Sequence, residues 1–93
     1  MINLEQRTAG EINKALAGRM AKLRKRRKLS QQALAMKSGV SFGSVKRFEQ
    51  TGEISLQSLT KIAIALEVEG ELESLFSQVL YESLEEILNE QGR

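Results

Sequence analysis

Residues 29–49 decide the fold of this chain and read LSQQALAMKSGVSFGSVKRFE. Ser30 and Ser41 each stand immediately before a short segment of helical composition. Serine is a favoured N-cap because its hydroxyl accepts a hydrogen bond from a free backbone amide of the first turn. Gly39, between the two segments, tolerates the positive φ with which helices commonly end. The stretch therefore predicts two short helices joined by a tight turn.

Longer helices are predicted on both sides of this pair. Thr8 and Glu11 have the spacing of a capping box, so a first helix begins there and is expected to end near Lys28. Ser55 caps a fourth helix, and a fifth follows the break expected at Gly70. No stretch alternates between apolar and polar residues as a half-buried strand does. The chain is therefore predicted to be all-helical.

The predicted architecture is an all-α, compact bundle of about five helices with a helix-turn-helix at residues 30–50. We expect a single domain over residues 1–93, with a core at residues 11–69 and a C-terminal helix at residues 70–93. Apolar residues expected to face the core are Ile12, Leu16, Met20 and Leu23 on the first helix, Leu34, Val40, Val45 and Phe48 in the helix-turn-helix, and Leu56, Leu59, Ile62, Ala63 and Leu66 on the fourth helix.

Charge is distributed unevenly along the chain. Residues 1–50 contain 12 Lys and Arg and 3 Glu, a balance of +9, whereas residues 51–93 contain 2 Lys and Arg and 9 Glu, a balance of −7. A basic run over residues 19–28 adjoins the helix-turn-helix, and such a run favours contact with a polyanion. The candidate phosphate contacts are Lys25, Arg26, Arg27 and Lys28.

The composition excludes several classes of protein. Cysteine and histidine are both absent, which removes disulfides, thiolate and imidazole metal ligands and the usual general base. No enzyme activity, cofactor or metal is therefore predicted. No apolar run approaches the ~18 residues of a membrane span, and the N-terminal residues do not have the pattern of a secretory signal. We expect a cytoplasmic protein without a membrane partner.

Residues 29–49, together with SLQSLTKIAIAL at residues 55–66, resemble the Cro and phage-repressor class of DNA-binding domains, the XRE family. The resemblance covers about residues 12–76 and is spaced over four helices. It implies a lambda-repressor-like fold, double-stranded DNA as the partner, and a sequence-specific transcriptional regulator, with repression as the expected outcome.

The resemblance also implies roles for individual residues. Those that match the family's DNA contacts are Ser30, Gln31, Gln32, Ser41, Phe42, Gly43, Ser44, Lys46 and Arg47. Among them, Gln31 matches a glutamine that contacts a phosphate. Arg24 and Glu49 match a structural ion pair between the first helix and the end of the third.

The chain departs from the family at Phe42 and Gly43, which stand where polar base-reading residues are common. Phe42 has no hydrogen-bonding group for a base edge, although its ring can pack on a thymine methyl group. Direct readout would then rest on Arg47, which can bind guanine O6 and N7 together. Ser41, Ser44 and Lys46 would assist it.

The C-terminal helix carries a wider apolar stripe than one packing contact requires. It either caps the core or forms a two-fold dimer interface. We favour the dimer, with Leu80, Leu84, Ile87 and Leu88 as candidate contacts. A homodimer would place two recognition helices one DNA turn apart, roughly 34 Å, and would bind a near-palindromic operator.

Three alternatives to a dedicated regulator remain. The first is an antitoxin that binds its own operator and also a toxin partner. The second is a protein-interaction adaptor that has lost DNA binding, for which Phe42 and Gly43 would be the sign. The third, an enzyme, is disfavoured because histidine, cysteine and a glycine-rich phosphate loop are all missing.

Overall fold

The structure, a computed structural model, describes the backbone of residues 7–91 and the side chains of residues 7–78 and 84–90. Six helices follow one another: α1 (Ala9–Arg26), α2 (Gln31–Ser38), α3 (Phe42–Thr51), α4 (Leu56–Ala65), α5 (Glu69–Glu73) and α6 (Ser77–Gln91). Residues 7–91 contain no strand. The predicted all-α fold is confirmed, with α2 and α3 as the two short helices of the helix-turn-helix. None of these six helices is both long and apolar enough to span a bilayer.

Side-chain caps begin the first four helices at the predicted residues. The Glu11 amide donates a hydrogen bond to Thr8 Oγ1 at 3.1 Å, and the Glu11 carboxylate accepts one from the Thr8 amide. The hydroxyl oxygens of Ser30, Ser41 and Ser55 each accept a hydrogen bond from the amide three residues later. Each bond satisfies an N–H that has no partner within its helix. The starts of α1 to α4 therefore follow from local sequence.

α1 ends at Arg26, slightly before the predicted Lys28. Lys28 adopts the left-handed backbone conformation, with φ 59°, and the Leu29 N–H donates to the Arg24 carbonyl at 3.1 Å. These features form a Schellman motif, which satisfies carbonyls left free at the helix end. Glycine or asparagine usually takes the left-handed position, so a lysine there did not indicate where the helix stops.

The core lies among α1 to α4. Its buried apolar side chains are Ala17, Met20, Leu34, Ala35, Val40, Val45, Phe48, Ile62, Ala65 and Leu66. Two residues predicted to face the core do not. Leu56 is 74% exposed because it is the first residue of α4, three residues before Leu59, where the helix begins to pack on the core. Ile12 is half exposed, because it precedes the first turn of α1 that packs on the core.

The C-terminal part holds two helices rather than the single fifth helix that was predicted. Gly70 does not break the chain but lies inside α5. The breaks fall at Glu67 and Phe76, whose φ angles are 62° and 65°. Residues other than glycine rarely adopt positive φ, so neither break was visible in the sequence. α5 packs on α4, whereas α6 exposes Leu84, Ile87 and Leu88; the side chain of Leu80 lies outside the described ones.

Candidate nucleic-acid interface

The turn between α2 and α3 is built from Ser38, Gly39 and Val40. Gly39 adopts φ 76°, and its N–H donates to the Ala35 carbonyl at 2.9 Å. The Ser38 hydroxyl donates to the same carbonyl at 3.3 Å and accepts a hydrogen bond from the Val40 N–H at 3.2 Å. Val40 is buried. Backbone geometry and packing together therefore hold α3 at its angle to α2.

One face of α3 is buried and the other is exposed. Val45 and Phe48 lie in the core. The exposed residues of the helix that share the other face are Phe42, Gly43, Lys46, Arg47 and Gln50. The first four were predicted as DNA contacts, whereas Gln50 was not. Its spacing, four residues after Lys46 and three after Arg47, places it on the same face.

Arg24 and Glu49 form a buried ion pair, with their side chains 8% and 11% exposed. Arg24 Nε donates to Glu49 Oε2 at 2.7 Å, and Arg24 Nη2 donates to Glu49 Oε1 at 3.0 Å. Arg24 Nη1 donates to the Leu29 carbonyl at 2.7 Å. Gln31 Nε2 donates to Glu49 Oε1 at 3.0 Å. This network joins the end of α1, the start of α2 and the end of α3.

The environment of Glu49 acts on its pKa in two opposing ways. Burial raises the pKa, because a charged carboxylate loses hydration. Hydrogen bonds from Arg24 and Gln31, with the positive charges of Arg24 and Lys25, lower the pKa and outweigh burial. The pKa of Glu49 therefore lies below its ordinary value, and the carboxylate is ionised at neutral pH.

The predicted DNA contacts at the start of α2, Ser30, Gln31 and Gln32, differ in their surroundings. Gln31 uses one N–H of its side-chain amide on Glu49, which leaves the second N–H for another acceptor. The Ser30 oxygen caps the Ala33 amide, and Gln32 is exposed. No acidic residue occupies the first turn of α2, so the partial positive charge of this helix end favours an anion.

Ser41 and Ser44 are coupled at the start of α3. Ser41 Oγ accepts a hydrogen bond from the Ser44 amide at 3.1 Å, and the two hydroxyl oxygens lie 2.8 Å apart in a second hydrogen bond. One hydroxyl hydrogen joins the two oxygens, so the other remains available to a ligand.

Arg47 forms an exposed ion pair that the sequence did not predict. Its Nη2 donates to Oε2 of Glu53, and the two side chains are 68% and 63% exposed. Glu53 follows the left-handed Gly52, two residues beyond the end of α3. No helical periodicity relates the two residues, so only the path of the chain brings them together.

The basic segment at the end of α1 is mainly exposed. Lys25, Arg26 and Lys28 are exposed to solvent. Arg27 Nη1 lies 3.5 Å from Glu67 Oε2, in the turn that follows α4. All four predicted phosphate contacts are therefore exposed, and one of them, Arg27, also faces a carboxylate.

A family model described as helix-turn-helix matches residues 20–72, which is more than half of the chain. The match runs from within α1 into α5 and includes α2, α3 and α4 completely. Comparison with curated proteins and with solved structures yields no significant match. The capped helix pair, the left-handed Gly39 and the exposed face of α3 all lie inside the matched residues. The chain therefore belongs to the XRE family of helix-turn-helix proteins.

Proposed function

We propose that this protein is a sequence-specific transcriptional regulator that inserts α3 into the major groove of DNA. The observation that carries the proposal is the exposed face of α3, on which Lys46, Arg47 and Gln50 lie opposite Val45 and Phe48. An α-helix with its side chains is about 10–12 Å across, which suits a major groove about 12 Å wide. The three polar side chains supply hydrogen-bond donors for acceptors on the base edges.

The side chains on this face suit different features of a base pair. Arg47 can donate to guanine O6 and N7, and Gln50 can pair with adenine N6 and N7. Phe42, which is partly exposed, can pack on a thymine methyl group. Apart from its chain neighbours and the backbone of α3, nothing lies within 4 Å of the place where a Cβ on Gly43 would be, so the backbone of α3 can approach the duplex closely there.

Phosphate contacts would set the register of α3 on the duplex. Lys25, Arg26 and Lys28 supply exposed positive charge next to the first turn of α2. The uneven charge of the chain supports this orientation, because the acidic second half would be repelled by the phosphates.

We propose that the protein, acting as one domain, binds its operator as a homodimer through α6. Leu84, Ile87 and Leu88 share this helix and are exposed, so they do not serve the core of their own chain. Burial against a second copy would remove this apolar surface from water. Two α3 helices one DNA turn apart, roughly 34 Å, would read a near-palindrome, and the bound dimer would block access of RNA polymerase to the promoter.

The test is selection of bound sequences from a random pool of double-stranded DNA at physiological salt. The native protein should enrich a near-palindromic sequence. Arg47→Ala should lower discrimination at one position of each half-site by about 1–3 kcal/mol, because a bidentate contact to guanine is lost.

Arg26→Ala is the matched control, because it removes an arginine that is assigned to phosphate rather than to a base. Binding should weaken about equally for all sequences, and the salt dependence should fall by about one phosphate contact. A uniform loss for Arg47→Ala would reassign Arg47 to phosphate, and a single enriched half-site would contradict the dimer. Absence of salt-dependent DNA binding by the native protein would favour the adaptor alternative.

A further inference from the structure

Glu53 is held beside the exposed face of α3 by a well-defined turn. Its N–H donates to Thr51 Oγ1 at 3.1 Å, and the Thr51 hydroxyl donates to the Arg47 carbonyl at 2.8 Å. Gly52, between them, adopts φ 81° and donates its N–H to the Phe48 carbonyl at 2.7 Å. The carboxylate of Glu53 therefore belongs to a segment whose backbone is tied to α3.

The same turn is also fitted against α1. A Cβ placed on Gly52 would lie 2.7 Å from the backbone carbonyl carbon of Asn13 and from the backbone nitrogen of Lys14. Only a residue without a side chain allows the turn to approach α1 this closely. Glu53 thus extends from a turn whose backbone is supported by both α1 and α3. Its carboxylate accepts a hydrogen bond from the Arg47 guanidinium.

The charge balance around Arg47 depends on Glu53. The two residues line a polar groove together with neutral side chains, among them Asn13, Ser44, Ser55 and Ser58. Among the described residues that line this groove, Arg47 and Glu53 alone carry charge. Removal of the carboxylate would therefore change the local charge from about zero to +1.

We propose that Glu53 is a positioning and specificity-determining residue, which makes Arg47 favour a guanine edge over a phosphate. This inference rests on the proposed function, in which Arg47 reads a base. The pair occupies one of the five N–H donors of Arg47, so the remaining four still allow two parallel bonds to O6 and N7. Because the pair is exposed and therefore weak, it orients the guanidinium without preventing contact with DNA.

The Glu53 carboxylate affects the two possible DNA partners of Arg47, a phosphate and a guanine edge, in different ways. A phosphate attracts Arg47 mainly through net charge, which Glu53 offsets, and the two anions repel each other. A guanine edge is neutral and depends on the direction of hydrogen bonds, which an oriented guanidinium satisfies at a lower cost in side-chain entropy. Glu53 therefore lowers non-specific affinity more than specific affinity.

The experiment compares the native protein with Glu53→Gln on three duplexes: the sequence selected by the native protein, the same sequence with the Arg47-dependent guanine replaced, and a random-sequence duplex. Affinities are measured over a series of salt concentrations. We expect Glu53→Gln to bind the random duplex about three- to tenfold more tightly and to lose guanine preference by a similar factor. Its salt dependence should steepen by up to about one phosphate contact.

Glu67→Gln is the matched control, because it also removes an exposed carboxylate that faces an arginine, but that arginine, Arg27, is the C-cap of α1 and not part of α3. It should leave the guanine preference unchanged. In an Arg47→Ala background, Glu53→Gln should no longer affect that preference.

An unchanged guanine preference in Glu53→Gln, or the same change with and without Arg47, would overturn the inference and leave the proposed function intact. If the native protein selects no sequence at all, the proposed function itself fails and the role of Glu53 fails with it.

Discussion

Two arginine–glutamate pairs involve α3, and they differ in almost every respect except chemistry. The pair of Arg24 and Glu49 is buried and shares hydrogen bonds with Gln31 and the Leu29 carbonyl. The pair of Arg47 and Glu53 is mostly exposed, and one hydrogen bond joins the two side chains. The first connects three helices, whereas the second connects α3 with the turn that follows it.

The difference shows that surroundings, rather than the ion pair itself, determine what such a pair does. A buried charge that loses its partner stays without hydration, so each member of the first pair depends strongly on the other. In the second pair, water can replace either partner at little cost. The pair of Arg24 and Glu49 is therefore suited to stabilising the fold. In the other pair, Arg47 can exchange Glu53 for a ligand.

The largest expected effect is on stability when Glu49 is removed. Glu49→Ala should lower the free energy of unfolding by about 3–5 kcal/mol, because the Arg24 guanidinium is left buried without its counter-ion. That is a large share of the total of about 5–15 kcal/mol that typical proteins have. Urea unfolding measures it. Glu53→Ala is the control and should change stability by no more than about 1 kcal/mol. Equal losses in the two variants would remove the distinction between the pairs.

The second effect concerns the turn that carries Glu53. Gly52→Ala should cost about 2–4 kcal/mol, because the new Cβ would meet the backbone of α1 and alanine disfavours the left-handed conformation. Gly39→Ala has nearly the same φ but open space around its Cβ, so it should cost only about 1–2 kcal/mol. Thermal or urea unfolding of both variants separates steric contact from backbone strain. Equal costs would show that the turn does not need its close approach to α1.

The third effect is the pH dependence of the buried pair. Because the pKa of Glu49 is lowered on folding, its contribution to stability is present above the unfolded-state value near 4.5 and is lost as the pH falls through the folded-state pKa. The loss should be smaller than in Glu49→Ala, since a protonated carboxyl still accepts hydrogen bonds. As the pH falls below 4.5, the native protein should lose more unfolding free energy than Glu49→Gln does. Parallel pH profiles would contradict a coupled pair.

Much of the fold could be predicted because it depends on short-range chemistry. Each serine cap needs only a hydroxyl and an amide three residues later, and the left-handed turn at Gly39 needs only a residue without a Cβ. The inward positions Leu34, Val45 and Phe48 follow from helical periodicity and are buried. The breaks at Glu67 and Phe76 could not be predicted, since neither residue type prefers positive φ.

The candidate site also contains some features that can be predicted from the sequence and others that cannot. Arg47 is predictable as an exposed residue of α3, because the inward-facing Val45 and Phe48 lie about 160° and about 100° around the helix axis from it. The pairing of Arg47 with Glu53 cannot be predicted, since Glu53 lies six positions after Arg47 and the chain between them leaves the helix. Gln31 shows a related limit. A resemblance suggests a phosphate contact, but only the folded chain brings its amide to Glu49.

The sequence alone determined where the first four helices start, which residues of α2 and α3 face inward, and how charge is divided between the two halves of the chain. These properties depend on neighbours within a few residues or on simple counts. The tertiary structure alone decided which glutamate is buried, which is left in solvent beside Arg47, and why Gly52 has no room for a side chain. Hydration and close contact depend on how segments distant in sequence pack together, and a linear pattern does not contain that information.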